Sequence, residues 1–182
     1  MKHFHLVVEG DDLPMYWMHL QVRTGITLAD LDTFLREIWV ECCGHLSAFT
    51  IEGRRYSSSA GSFFDPEPGR RGLQTRLDHV FHPGLNCSYE YDFGTTTELR
   101  LRVLAEETQE AAGESIHLLA RNTPPAILCN TCGKQASSVC VQCVYEEGGW
   151  LCADCARGHS CGSDMLLPVV NSPRVGMCGY AG

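Results

Sequence analysis

No run of the 182-residue sequence approaches the roughly 18 apolar residues that a membrane-spanning helix needs. The opening MKHFHLVVEG has a lysine but lacks the apolar stretch that would make it a secretory signal. Both absences lead to the expectation of a cytoplasmic protein with no membrane partner. Positive charge is scarce as well, with 14 Lys and Arg against 22 Asp and Glu and a formal net charge of −8. Residues 126–182 hold only Lys134, Arg157 and Arg174 against four acids. Nucleic-acid binding draws most of its affinity from neutralised phosphates, and this segment has little to neutralise them with. The sequence also lacks a phosphate-binding glycine loop, a metalloprotease motif, a Ser/His/Asp arrangement and internal repeats. An enzyme is therefore not the expected reading.

Cysteine, by contrast, is abundant, with 11 in the chain. In a reducing compartment disulfides do not persist, so this many thiols point to metal. Most fall in residues 129–161, CNTCGKQASSVCVQCVYEEGGWLCADCARGHSC. Three Cys-x-x-Cys pairs stand there: Cys129 and Cys132, Cys140 and Cys143, Cys152 and Cys155. His159 and Cys161 follow at once. The turn inside each pair aims two thiolates at one point about 2.3 Å from each sulfur, which suits zinc. One pair alone would equally suit a redox dithiol. Eight soft ligands fill two tetrahedral zinc sites, and a closed site leaves no place for a catalytic water. An iron–sulfur cluster, the alternative, gathers four ligands around one centre. Cys178-Gly179-Tyr180 has the form of a further knuckle corner, which makes Cys178 a ninth candidate for eight places.

The rest of the chain reads as α+β: a mixed or antiparallel sheet, one main packed helix, and a small C-terminal zinc-binding module. Strands are expected at 2–9 and 15–22, separated by Gly10-Asp11-Asp12 and Pro14. Thr27 with Asp30 forms a capping box at the start of a helix that carries Leu28, Leu31, Leu35, Ile38 and Cys42 on one face. Gly44 is its expected stop. Further strands are expected at 45–53, 87–94, 98–107 and 115–122, and 77–81 as a helical turn. Residues 53–76 break all periodicity and read as a loop holding Arg54, Arg55, Arg70, Arg71 and Arg76, either solvated or in contact with an anion. Pro124-Pro125 marks a boundary, so the domains are drawn at 1–123 and 126–182. The apolar tail after Cys161 is expected to fold back over the module or the sheet.

A few clusters invite other chemistry. Cys42, Cys43 and His45 suggest a nucleophile beside a base, yet the helical spacing places Cys42 on the buried stripe. His3, His5 and His19 suggest a metal trio, yet they also fit the polar positions of alternating strands. An enzyme of unknown substrate would have to be built around His45 and Asp92, with His79 or His82.

Two family resemblances meet these residues. TLADLDTFLREIWVECCGHLSAFTIEGRRY and YEYDFGTTTELRLRV resemble the plasmid pRi open-reading-frame-three-like family over about residues 15–105. The carrying positions are Leu28, Leu31, His45, Leu46, Phe49, Tyr91, Asp92, Phe93 and Gly94. That resemblance implies an α+β fold and an association with plasmids and mobile elements, and it brings no established activity. After Gly94 the sequence departs from the family's acidic and tryptophan-containing run. LCADCARGH is similar to the ligand pattern of B-box zinc modules, and the resemblance covers residues 129–161. It implies a cross-braced pairing, with Cys129, Cys132, Cys152 and Cys155 on one metal and Cys140, Cys143, His159 and Cys161 on the other. Modules of that kind generally bind proteins. The expected function is therefore an interaction or accessory protein with two structural zinc ions, whose partner is another protein. A nucleic-acid-binding accessory of a plasmid or transposon is the alternative.

Overall fold

The computed structural model describes residues 1–59, 71–108, 113–146 and 148–182. It divides into two compact units. One comprises Met1–Ile38 and Gly44–Asn122, the other Trp39–Cys43 and Thr123–Gly182.

The first unit is built on a sheet of strands β1 (Lys2–Gly10), β2 (Trp17–Arg23), β3 (Ser47–Ile51), β4 (Arg54–Ser57), β5 (Arg71–Gly72), β6 (Asn86–Tyr91), β7 (Thr97–Thr108) and β8 (Ile116–Arg121). Their spatial order is β5-β4-β3-β6-β7-β1-β2-β8. Every pairing is antiparallel except β4 with the two-residue β5. Alternation sets the faces: along β7, Thr97, Leu99, Leu101 and Val103 are buried while Glu98, Arg100, Arg102 and Leu104 point outward. Arg100 and Arg102 both lie beside Glu9 of β1. The fold is thus α+β and dominated by its sheet.

Helix α1 (Leu28–Leu35) begins as its sequence directs. Thr27 Oγ1 accepts the Asp30 amide at 3.2 Å, and Asp30 Oδ2 accepts the Thr27 amide at 2.8 Å. Leu28, Leu31 and Leu35 are fully buried. Asp32 is buried beside them and accepts the Tyr89 hydroxyl at 2.8 Å and Arg36 Nε at 2.7 Å. Arg36 continues to the His45 carbonyl and Ser47 Oγ, at 2.8 and 2.9 Å. Helix, β3 and β6 are therefore tied by one polar network inside an apolar layer. Burial, followed by the charge of Asp32, drives the Tyr89 hydroxyl far above its ordinary range. Asp32→Ala leaves the buried Tyr89 hydroxyl and the part-buried Arg36 guanidinium short of a partner, and the expected loss is on the order of 3 kcal/mol. Tyr89→Phe should cost about 1 kcal/mol. Urea midpoints at an unchanged m-value check both.

Two expectations need correction. The helix does not run to Gly44 but passes at Arg36 into a π-helical turn that ends at Val40, so Cys42 is not on its stripe. Residues 53–76 are not one loop: β4 takes up Arg54 and Arg55, and β5 takes up Arg71. Arg70 lies outside the described residues. Arg55 pairs with Glu90 and stacks on Phe93, and Arg76 pairs with Asp78 at 2.6 Å. Those two charges are already engaged within the chain.

The second unit has a three-stranded antiparallel sheet with β9 (Ser138–Cys140) between β10 (Trp150–Leu151) and β11 (Leu166–Pro168). A five-residue helix, α2 (Ala153–Arg157), follows β10. One of its apolar clusters is Cys129, Leu151 and Cys152, flanked by Cys155, Ala156 and Leu166, and Val139, Val175 and Tyr180 are buried as well. The tail beyond β11 is buried at Ser172, Pro173, Arg174 and Val175. Ser172 Oγ donates to the Trp39 carbonyl at 2.6 Å, which holds residues 39–43 in this unit.

Candidate functional site

The three Cys-x-x-Cys pairs share one local geometry. In each, the first sulfur is approached by the backbone amides two and three residues on: Thr131 and Cys132 at Cys129, Gln142 and Cys143 at Cys140, Asp154 and Cys155 at Cys152. Such amides stabilise a thiolate before any metal arrives. Cys129 falls to about 6, chiefly through the Cys152 amide, with its own turn adding to it. At Cys140 burial pushes upward, but the two amides and His159 outweigh it and the thiol also falls to about 6. Cys152 is lowered mainly by the Cys155 amide.

The surrounding chain fixes these turns against one another. Asn130, inside the first pair, exchanges hydrogen bonds with the backbone of Trp150, both at 2.8 Å. Gly149 has φ +94°, and a Cβ there would meet the Val144 nitrogen at 2.7 Å. Only glycine lets the chain return to β10 so close to the second pair.

Four donors from separate pairs then converge twice. Cys129, Cys132, Cys152 and Cys155 form one group, and Cys140, Cys143, His159 and Cys161 another. A tetrahedron with sulfur about 2.3 Å and nitrogen about 2.0 Å from its centre has S···S edges of about 3.8 Å and S···N edges of about 3.5 Å. Cys132 lies 3.6 Å from Cys152 and 3.7 Å from Cys155. Cys143 lies 3.6 Å from Cys161 and 3.5 Å from His159 Nε2. Disulfides would require about 2.05 Å. The spacing is that of donors around a shared centre.

The crowding has an electrostatic signature. Cys155 is pushed up to about 12, first by its contact with Cys132, and Cys143 to about 12, first by Cys161. A second thiolate beside the first is penalised, and a dication reverses that penalty. Lys134 stands near the all-cysteine group; its ammonium is held above its usual range by Asp154 first and then by Cys132 and Cys152.

Three further cysteines of the second unit, Cys42, Cys43 and Cys178, also lie together. Cys43 lies 3.4 Å from Cys42 and 3.7 Å from Cys178, and the same two neighbours push it up to about 12. The cysteine and histidine clusters of the second unit could therefore hold metal ions.

The other candidates are placed differently. His45 Nε2 lies 3.5 Å from Asp92 Oδ2, and Asp92 has φ +65°, its carboxylate also accepting the Gly94 amide at 3.1 Å. His79 and His82 are not part of that pair: they border a cleft of about 150 Å³ with Glu52, Arg54 and Asp78. His82 sits 3.2 Å from Glu52. His5 Nε2 and His19 Nδ1 hydrogen-bond at 2.9 Å across β1 and β2, with Trp17 packed edge-on to His19.

The YDFG turn at Tyr91–Gly94 and the capped helix sit inside a longer match to known sequence: residues 4–131 match the plasmid pRiA4b ORF-3-like proteins. The chain belongs to the plasmid pRiA4b ORF-3-like family. The match stops inside the first Cys-x-x-Cys pair, so this family member carries seven of the eight donors from 129 to 161 beyond it. The family fold is also seen in a crystal structure of a protein of unknown function, MM3350 from Methanosarcina mazei Go1. That chain is 18% identical, with a TM-score of 0.56, over 66% of this chain and 68% of its own. The likeness is one of fold alone. No curated protein matches this family member. Among its described residues no helix is long and apolar enough to cross a membrane.

Proposed function

We propose that this protein is a cytoplasmic accessory protein of mobile elements that docks another protein through its zinc-stabilised C-terminal unit and performs no catalysis of its own. The carrying observation is the grouping of Cys129, Cys132, Cys152, Cys155 and of Cys140, Cys143, His159, Cys161 into two sets of four donors. Each set closes a tetrahedral zinc without a water, which assigns the metals a structural role. The shell around them favours a protein partner. Its charge is near balance, and Leu128 and Tyr145 are 58% and 65% exposed. Tyrosine is enriched where proteins bind one another, whereas a nucleic-acid site needs clustered cations.

The test has two arms. The full chain is titrated with a 30-base-pair DNA duplex between 50 and 200 mM salt, and the expected result is no salt-dependent binding. Tyr145→Ala with Leu128→Ser should release a stoichiometric partner recovered from the source cells while leaving zinc content unchanged. Tight DNA binding with a steep salt slope would overturn the docking reading in favour of a nucleic-acid accessory. A partner that stays bound to the double variant would show that docking occurs elsewhere.

A further inference from the structure

We propose that the all-cysteine group is also an oxidation site, at which hydrogen peroxide joins Cys132 to Cys155 and thereby expels the zinc. The proposal rests on zinc occupying that group, as read above, and concerns what its donors can then do.

Exposure singles out one sulfur. Among the eight donors from 129 to 161 only Cys132 is exposed, while Cys155 is half-buried and Cys129 and Cys152 are buried. Cys132 stands in a run, residues 130–135, in which every residue is exposed. Gly133 has φ +73°, and among the described residues nothing lies within 4 Å of where its Cβ would be. The turn closes on its inner side, where the Cys129 amide donates to the Lys134 carbonyl at 2.7 Å and the Gly133 amide to the Cys129 carbonyl at 2.9 Å. It therefore presents Cys132 to solvent and keeps Cys129 inside.

Hydrogen bonding points to the same donors. The amides of Cys152, Thr131 and Cys132 are aimed at Cys129, and those of Cys155 and Asp154 at Cys152. A thiolate stabilised in that way gives up nucleophilicity. Cys129 and Cys152 are thus quietened twice, by burial and by amides. Cys155 has Cys132 as its strongest neighbour, 3.7 Å away. Oxidation selects thiolates that solvent reaches, and a sensing thiol stands beside the one that resolves it. The Cys140 group offers no exposed sulfur, and one of its four donors is an imidazole.

A metal-bound cysteine is held as thiolate. The Cys132 sulfur attacks one peroxide oxygen, the O–O bond breaks, and the departing hydroxide takes a proton to become water. The resulting sulfenic acid is attacked at sulfur by the Cys155 thiolate. Its S–O bond breaks, and the second hydroxide also leaves as water. Two thiolates, one peroxide and two protons become one disulfide and two waters, with two electrons passing from sulfur to oxygen. Cys129 and Cys152 remain as two donors, too few to keep the ion, and the binding energy that folds the module goes with it. A dithiol reductant and fresh zinc restore the starting state.

The experiment exposes the full chain, its zinc content measured first, to hydrogen peroxide and follows zinc release, disulfide-linked peptides and amide exchange. Both zinc ions are expected to leave, because the donors of the two groups alternate along the chain. The first mapped disulfide should join Cys132 to Cys155, with protection lost at residues 138–140, and dithiothreitol with added zinc should reverse all three changes. Cys132→His keeps a zinc ligand that cannot enter a disulfide, and it should retain its zinc under the same exposure. If that variant fails to fold, the wild-type disulfide map decides alone. A first disulfide elsewhere, such as Cys143 with Cys161, or zinc retained after Cys132 is oxidised, would overturn the oxidation site and leave the zinc reading standing. A chain that carries no zinc at the outset would overturn both.

Discussion

Stripping metal with a strong chelator is expected to unfold residues 123–182 while the eight-stranded sheet keeps its amide protection. The second unit buries few apolar side chains around its donors, among them Leu151, Val139, Ala136, Val175 and Tyr180, and has strands of two or three residues and a five-residue helix. A body that small does not bury enough apolar area to offset the entropy of ordering its chain. Structural zinc contributes on the order of 10–16 kcal/mol per site in small peptides, and in such units that binding energy is the folding energy. None of the donors from 129 to 161 belongs to the sheet of the first unit, whose interior is aliphatic and aromatic. Hydrogen exchange before and after chelation reads both units in one sample. Amides of residues 138–140 that stay protected in metal-free protein would show that the module holds itself together without zinc.

The second large effect concerns how a local lesion spreads. Cys129→Ala removes one donor from the all-cysteine group, yet it is expected to release zinc from the Cys140 group too. The reason is the order along the chain: donors one, two, five and six converge in one place and three, four, seven and eight in the other. The turn of Cys140 and Cys143 is suspended between the two halves of the first group, and α2 with its continuation to His159 is suspended beyond it. Losing the first centre frees both spans. A peptide of residues 145–182 carries Cys152, Cys155, His159 and Cys161, which the structure divides two and two between the groups. It should bind zinc at least 100-fold more weakly than the full chain. If that peptide takes up one zinc tightly with four protein ligands, or if Cys129→Ala keeps a fully occupied second site, the interleaved arrangement is wrong.

What could be read in the sequence was local. The Thr27 and Asp30 capping box, the alternation of β7 and the three Cys-x-x-Cys turns each depend on residues within three or four positions, where spacing fixes geometry. β1, β2, β3, β6, β7 and β8 were therefore legible to within a few residues, and so was the start of α1, whereas the short β4 and β5 were hidden in an aperiodic stretch. Its end was not. The 3.6-residue periodicity of Leu28, Leu31, Leu35 and Ile38 carries on into Cys42, and nothing in the letters marks the π-helical turn that halts the helix at Val40. That one extrapolation placed Cys42 on a buried stripe and concealed its place beside Cys43 and Cys178. The latter two come from stretches 135 residues apart, and no periodicity links them. Asp32 was likewise invisible: its burial is decided by Tyr89, which arrives from another strand.

The order of the donors also sets a timetable for biosynthesis. Ribosomes add about 5–20 residues per second. Cys132 precedes its neighbour Cys152 by 20 residues, so the first pair waits about 1–4 seconds for its partners. Both interleaved centres then become complete almost together, with Cys155 and Cys161. Cys43 and Cys178 stand 135 residues apart, and their meeting is delayed by about 7–27 seconds. During that interval two adjacent thiols are exposed on the nascent chain, open to oxidation or to capture by the wrong cysteine. The segment from Ser172 to Tyr180 closes that interval, so Cys42 and Cys43 gain their neighbour only once Cys178 has been made.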